Sequence, residues 1–392
     1  MKMWTELCPP FLTFFNCNEA CNMPKSNFSE FSSFTFFPGQ HWSHTWERQH
    51  ELVTRFAKLL AGRTISVCSP LGLINHNPIS SEFFQKIKAY HKLQDKAINQ
   101  NPILENMKMC NSRHIPFHFS LTGKINYALM KHQMGMTNNN FFWSTYMNPT
   151  VYEFFRKSSL KIYDIAERRS ANPLLNEKIK AWERKAVREA DLVIVDNHAT
   201  MEDYRNLNPR IQYIPQGVNP ETFFKREGIA IREYIGYIGN LHFAINYDFL
   251  KELIQINKKE KFLIIGSVLE ESAKSIIQMP NVTYIPQTPK TELNSYLAKM
   301  KLGLIPYVVN EHTAGVYPTK LFEYLAAGVP VLSTPLPEVV QYADSDYMCI
   351  STAPIGVSDL DFPMRKVEHI IRGNTWDARW EKYLKCIEKC LE

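Results

Sequence analysis

Lys320 and Glu323 stand three positions apart in the stretch Tyr317-Pro318-Thr319-Lys320-Leu321-Phe322-Glu323-Tyr324-Leu325-Ala326-Ala327-Gly328-Val329-Pro330-Val331-Leu332-Ser333. At that spacing both side chains project from one side of a helix. A lysine at a helix start, among unbonded N–H groups and the positive dipole end, suits a phosphate. A carboxylate one turn further in suits the hydroxyls of a ribose. Pro318 fits the first turn, where its missing N–H costs nothing. Thr319 to Ala327 are mostly good helix formers. Gly328 is the expected left-handed terminator, and Pro330 blocks continuation. Val329 to Ser333 then reads as a buried parallel strand. The unit can hold half of a nucleotide sugar, with Lys320, Thr319 and Leu321 at the diphosphate and Glu323 at the ribose. A solvated lysine is the competing reading, and the dipole disfavours it.

The rest of the chain must place this helix beside a cleft. Phe34 to Phe37, Thr64 to Cys68, Phe141 to Trp143, Leu160 to Ile165 and Leu192 to Val195 read as strands. Helical spacing covers Trp46 to Leu60, Ile125 to Met134 and Asn176 to Ala190. A second set follows. Its strands are Tyr234 to Ile238, Phe262 to Ile265, Val282 to Ile285 and Leu302 to Ile305, and its helices Tyr247 to Ile256 and Lys290 to Met300. This alternation is the mark of parallel sheets covered on both faces. Residues 75 to 140 are largely polar and carry little pattern. The expected organisation is an irregular extension over 1–34, a Rossmann-like domain over 35–222, a second over 223–375 and a closing helix over 376–392. Ligands of such sheets bind outside the carboxyl ends of the strands.

At 392 residues the chain is too long for one core. A net charge of +6 falls short of a nucleic-acid-binding signature and is compatible with phosphorylated ligands or an anionic membrane face. The eight cysteines form no Cys-x2-Cys pair, which fits free thiols in a reducing cytoplasm. No run reaches the roughly 18 apolar residues of a membrane span. Glu6 and Pro9-Pro10 interrupt the apolar N-terminus, so export is not expected, and Met1 and Met23 both stand as starts.

The segment Tyr234 to Ser333 resembles the donor-binding domain of GT-B glycosyltransferases, particularly the group around family four. Tyr213-Ile214-Pro215-Gln216-Gly217-Val218-Asn219-Pro220-Glu221-Thr222-Phe223 is similar to that family's linker into the second domain. Ile235-Gly236-Tyr237-Ile238-Gly239, Phe262 to Gly266, Pro280-Asn281-Val282 and Leu304-Ile305-Pro306 match its strands and loops in order. The opening stretch is similar to its P-x-K-x-x-E-Y-L-A-x-G-x-P-V. Trp42 to Leu60 and Tyr163-Asp164 resemble the acceptor domain of polysaccharide and teichuronic-type transferases. Trp376-Asp377-Ala378-Arg379-Trp380 resembles the last helix, which in that family crosses back to the first domain.

The resemblance implies an α/β chain of GT-B type, two doubly wound Rossmann-like domains facing a cleft. It implies a hexosyltransferase-type enzyme that moves a sugar from a nucleoside diphosphate to a glycan or lipid-linked glycan acceptor in cell-surface polysaccharide synthesis. Such an enzyme works in the cytoplasm, peripherally at the inner membrane face, with no nucleic acid partner and no cofactor beyond the donor. Two departures leave retaining and inverting chemistry open. The family pairs two glutamates; Glu323 matches the second, and Gly315 stands at the first. Asn240, His242 and Asn246 stand where the family carries a basic pair. Lys320 is then the main phosphate neutraliser, with His312 and Arg232 as candidates to assist.

Transfer needs stabilisation of the leaving diphosphate, a base for the acceptor hydroxyl and exclusion of water. Gly239 and Asn240 let backbone approach the donor, and Thr313, Ala314, Gly315 and Tyr317 line it. Asp164, ending its strand at the cleft edge, is the candidate base, with His114 and then His41 behind it; helix capping is the alternative for Asp164. Asp344-Ser345-Asp346 and Asp359-Leu360-Asp361 read as loop aspartates, so a metal-independent site is expected. The run Lys178 to Arg188 reads as a solvated helix face, with a membrane surface as the alternative. The competing functions are a nucleotide-sugar epimerase of the same fold and a non-catalytic nucleotide-sugar-binding protein.

Overall fold

A computed structural model describes residues 28–42, 46–68, 101–110, 114–115, 120–172, 175, 177–222, 231–289 and 292–392. Most of the expected 1–34 extension, positions 290 and 291 of the expected Lys290 to Met300 helix and position 176 of the expected Asn176 to Ala190 helix lie outside the described residues.

Among the described residues there are two sheets, and every strand pairing in them is parallel. The first has seven strands: β1 (Ser33–Phe37), β2 (Ile65–Cys68), β3 (Met107–Cys110), β4 (Asn140–Ser144), β5 (Leu160–Ile165), β6 (Leu192–Val195) and β7 (Ile211–Tyr213), in the order β3-β2-β1-β4-β5-β6-β7. The second has six: β8 (Tyr234–Ile238), β9 (Lys261–Ile265), β10 (Val282–Ile285), β11 (Met300–Ile305), β12 (Val331–Ser333) and β13 (Met348–Ile350), in the order β10-β9-β8-β11-β12-β13. Strand order reverses between β1 and β4, and again between β8 and β11. Doubly wound sheets open a ligand crevice at such a reversal.

The helices of the first half are α1 (Arg48–Leu59), α2 (Ser120–Met130), α3 (Pro149–Phe155), α4 (Glu177–Glu189) and α5 (His198–Tyr204). Those of the second are α6 (Tyr247–Ile256), α7 (Ser272–Ile277), α8 (Leu293–Leu297), α9 (Thr319–Ala326), α10 (Pro337–Val340), α11 (Val367–Arg372) and α12 (Trp376–Leu391). Asn246, at the place of a family cation, is the cap of α6: its side chain accepts the Phe249 N–H at 3.0 Å. Thr375 caps α12 in the same way, from Ala378 at 3.1 Å.

Three element boundaries differ from expectation. α2 begins five residues before Ile125 and ends at Met130, short of Met134; the turn that follows reaches Gly135, whose φ is +61°. The expected Lys290 to Met300 helix shortens to α8, because Met300 already pairs with Tyr234 as part of β11. Pro318 caps α9 from an extended conformation instead of entering its first turn.

The first sheet is covered on both faces. Phe36, Phe56, Phe141 and Trp143 fill one side, together with Trp376, Trp380, Tyr383 and Ile387 of α12. Phe37, Phe142, Phe154 and Phe155 fill the other. The last helix therefore packs on the first sheet, with Trp380 edge-on to Phe56 at 4.9 Å. The second half has its own core, built on Ile235, Leu253, Ile264, Leu304 and Leu325.

Candidate active site

The strand reversal in the second sheet gathers cations. Gly239 follows β8 with φ +150°, a conformation that L side chains rarely adopt. The Lys320 side chain crosses over it: a methyl group at Gly239 would lie 2.5 Å from Lys320 Cε and 3.0 Å from Nζ. Lys320 Nζ also sits 5.9 Å from the ring centres of both Tyr237 and Tyr307. Burial opposes its charge, but the Tyr307 hydroxyl and the Glu323 carboxylate outweigh it, and the ammonium titrates above its ordinary range. Lys320, Gly239 and Glu323 thus lie together at this reversal.

His242 joins this cluster from the loop after β8. Its Nδ1 accepts the Ala244 N–H at 3.2 Å, which leaves Nε2 as the donor of the neutral ring. Burial, the Lys320 ammonium and the His312 ring all push its imidazole below the ordinary range. Phe243 links the two histidines, 5.7 Å from His242 and 5.2 Å from His312. His312 Nδ1 is buried without a hydrogen-bond partner. Sequence reasoning passed over His242 because an imidazole was compared with the family's fixed cations. Its signal was the chain order: a histidine three residues past a strand-ending glycine.

Other expected donor residues take structural places. Leu321 is fully buried, and its N–H already bonds Pro318 O at 3.1 Å. Tyr317 is buried against Phe322, its hydroxyl 3.2 Å from that of Tyr342. Thr313 turns its hydroxyl into its own loop and donates to Val308 O at 2.6 Å. Arg232 sits at the far end of α9, donating to Ala327 O at 2.8 Å and Gly328 O at 2.9 Å. It caps the helix C-terminus and does not approach Lys320. Thr319 and Ala314 are half-buried, and Asn240 is exposed, its side-chain oxygen 3.4 Å from the Ser267 N–H.

Gly315 is covered from across the cleft. Any side chain there would collide with Arg168 Cβ. Arg168 follows β5. It forks onto Asp203 at 2.8 and 2.9 Å and donates a third bond to Glu311 O at 3.0 Å. The space that a family glutamate would take is thus occupied by an arginine stem from the first half. A second bridge is Glu338, nearly fully buried. It accepts from the His198 N–H at 2.6 Å, from the Tyr213 hydroxyl at 3.0 Å and from Gln341 at 2.7 Å.

The strand reversal in the first sheet gathers carboxylates, and here the expectation for Asp164 is corrected. Its side chain is fully buried and bonded by Arg48 at 2.9 and 3.3 Å and by the Tyr383 hydroxyl at 2.9 Å. It neutralises a buried arginine and cannot meet an acceptor hydroxyl. Asp196 lies close by, and burial pushes its carboxyl up to about 6 against the pull of Arg48. The carboxylates at the surface of this crevice are Glu47, preceding α1, and Glu167, following β5. Glu47 accepts from Gln49 Nε2 at 3.1 Å. Its carboxyl tucks against the first turn, and this partial burial, with the charge of Glu167 beside it, raises its pKa. His114 is half-buried at the carboxyl end of the sheet, where Asn126 bonds both the N–H and the C=O of Ile115 at 2.8 and 2.9 Å. His41 gives its carbonyl to His50 Nε2 at 3.1 Å. Asp344 pairs with Lys366 at 2.7 Å and Asp346 accepts the Lys366 N–H at 2.7 Å, so both anchor the loop before α11.

Residues 232–355, which hold this cationic crevice, match the profile of the family Glycosyl transferases group 1. The chain is similar to TuaH of Bacillus subtilis (strain 168), named as a teichuronic acid biosynthesis glycosyltransferase, with 25% identity. That match covers 53% of this chain and 61% of the relative, so the chain spans under two thirds of the curated protein it matches. Its fold is that of sucrose-phosphate synthase from Thermosynechococcus elongatus: TM-score 0.66 at 12% identity, over 91% of this chain and 98% of that one. It is also that of Anabaena HepE, solved with UDP and glucose: TM-score 0.59 at 11% identity, over 90% and 99%. The chain thus has the GT-B fold, and residues 232–355 in its second half match the Glycosyl transferases group 1 profile.

Proposed function

We propose that this protein is a glycosyltransferase that moves a sugar from a nucleoside diphosphate to a glycan or lipid-linked glycan in cell-surface polysaccharide synthesis. The observation that carries this is Lys320 laid across Gly239 at the reversal of the second sheet, inside the matched segment. An ammonium, a neutral imidazole N–H and the start of α9 converge where negative charge develops as the diphosphate leaves. Glu323 holds the ribose. Glu47 takes the proton of the acceptor hydroxyl, supported by its place on the opposite crevice and its raised pKa. Arg168 and Glu338 hold the two halves together and keep water out. The name of the Bacillus relative supports an envelope glycan as product. The cytoplasmic side of the membrane is the place of work, and the donor is the only small molecule required.

A thermal-shift screen against UDP-, GDP- and ADP-sugars tests this, since a ligand that binds only the folded state raises Tm. One base should raise Tm, and adding glycan acceptors should then release nucleotide. Conversion of the donor without an acceptor would point to an epimerase, and binding without turnover to a non-catalytic protein. A flat response to every nucleotide sinks the proposal.

A further inference from the structure

Three aromatic rings stand at the entrance to α1, next to the surface carboxylates of the first crevice. Trp42, Trp46 and His50 pack on one another. Ring centres lie 5.0 Å apart for Trp42 and His50, and 5.6 Å apart for Trp46 and His50. Trp42 is buried and donates its Nε1–H to Pro102 O at 3.3 Å. His50 is fully buried. Its Nδ1 accepts the Glu47 N–H at 3.1 Å, so Nε2 is the donor to His41 O at 3.1 Å. Trp46 differs from both. It is half-buried, and its indole lies at only 28° to the His50 ring. His50 covers one indole face, and the rest of the ring meets water.

Glu51 fixes the edge of that indole. One of its oxygens accepts Trp46 Nε1–H at 2.8 Å and Asn219 Nδ2 at 3.3 Å. The other accepts Arg55 Nε at 2.8 Å, and Arg55 bonds Asp377 of α12 at 2.7 Å. Asn219 belongs to the linker and Asp377 to the helix that packs back on the first sheet. Elements far apart in sequence therefore hold one half-exposed ring still. A ring fixed in this way needs little further ordering when a ligand lands on it.

The open charge beside it is of one sign. Glu47 precedes α1 and Glu167 follows β5, and both are exposed. Each lies within electrostatic reach of the other. The arginines of this neighbourhood are already matched: Arg48 by Asp164, Arg168 by Asp203 and Arg169 by Glu183. An indole face suits the C–H side of a sugar ring, whose hydrogens are positive against the negative π cloud. Carboxylates accept sugar hydroxyls and repel a phosphate or another carboxylate.

We propose that Trp46 is the platform for the accepting sugar, and that the first crevice takes a neutral pyranose ring and rejects a polyol phosphate or an acidic sugar. The open indole face lies against the ring, and Glu47, one residue on, meets its hydroxyl. Glu167 supplies the like charge that excludes anions. Glu51 is a positioning residue that acts on the acceptor only through Trp46. The part played in transfer rests on the transferase reading; the binding of a neutral sugar at Trp46 does not.

Fluorescence titration of the full chain, without nucleotide, tests the platform. Cellotriose and chitotriose should shift tryptophan emission, while glucuronate and glycerol 3-phosphate should not. Trp46→Phe should remove most of that shift. Calorimetry should show Trp46→Ala weakening trisaccharide binding about tenfold, the order of one aromatic contact. Trp46→Phe keeps an aromatic face and should lose only a few-fold. Nucleotide binding should be unchanged in both. In transfer assays, Glu51→Ala should raise acceptor KM more than it lowers kcat, and Glu51→Gln should restore most of the loss. Glu167→Gln should narrow the preference for neutral over anionic acceptors about fivefold. Three results overturn the platform. One is a folded Trp46→Ala variant that binds trisaccharides as the parent does. Another is an emission response in Trp46→Phe equal to that of the parent, which decides the matter if Trp46→Ala does not fold. The third is a parent that prefers glycerol 3-phosphate or glucuronate. Failure of every nucleotide sugar to bind would count against the transferase reading alone, and a trisaccharide signal from Trp46 in the same protein would still support the platform.

Discussion

The two strand reversals share a topology and differ in what fills them. Between β8 and β11 the crevice collects Lys320, His242 and His312, with one imidazole nitrogen unpartnered. Between β1 and β4 the deepest charges are already matched, Arg48 against Asp164, and the surface carries Glu47 and Glu167. One crevice gathers an ammonium and imidazoles, and the other leaves carboxylates at its surface. The same fold thus presents two kinds of crevice because its loops, not its sheets, decide the sign of the charge.

The sharpest way to break this contrast is at Asp164. Its replacement by alanine leaves Arg48 charged and buried, which costs on the order of 3–5 kcal/mol of stability. Chemical denaturation should show that loss. A variant that keeps full stability and loses only turnover would return Asp164 to the role of base. Next comes Glu47→Gln, which should lower kcat by at least about a hundredfold with donor affinity retained. In the parent, activity should fall as pH drops through the raised carboxyl range of Glu47, because a base must be ionised. Steady-state kinetics against pH reads both effects.

Lys320→Ala should weaken nucleotide binding roughly ten- to a hundredfold, the range of a hydrogen bond to a charged group, without loss of fold. Calorimetry would measure it, and an unchanged Kd would empty the cationic crevice of its meaning. The smallest effect belongs to His242. Its depressed pKa keeps the free ring neutral at pH 7, and a bound diphosphate favours the protonated ring. The complex therefore binds more protons than the free protein, and affinity should rise as pH falls toward the imidazole range. His242→Ala should flatten that slope and change affinity a few-fold. A slope that persists would pass the proton to His312.

What the sequence disclosed follows from how locally each feature is encoded. α9 and its neighbours were legible because the N-terminal proline, the helix formers and Gly328 act within one short stretch. Leu192 to Val195 and Tyr234 to Ile238 announce themselves as apolar runs. α3 was not legible: every residue from Pro149 to Phe155 is buried, so no amphipathic period exists to detect. β3, Met-Lys-Met-Cys, is too short and mixed to separate from a loop. At the site, Lys320 could be read from spacing, while Arg168 over Gly315 could not, because that contact joins residues 147 positions apart. Asp164 misled for a related reason. Ending a strand at the cleft edge says where its backbone is, and only Arg48 and Tyr383, distant in sequence, decide where its carboxylate points.

Those distant partners also set the order in which the molecule can be completed. Trp376, Trp380, Tyr383 and Ile387 belong to the core of the first sheet, and Tyr383 joins Trp143 at 2.6 Å across 240 positions. A ribosome delivers those residues after every strand of the sheet they cover. Until then the trough over Phe36, Phe56 and Phe141 lies open, although the strands beneath it emerged long before. The first half must wait, partly assembled, through the synthesis of the whole second half. Shortening the chain within α12 would therefore damage the core of the first sheet, far away in sequence, and a chaperone would find its target there.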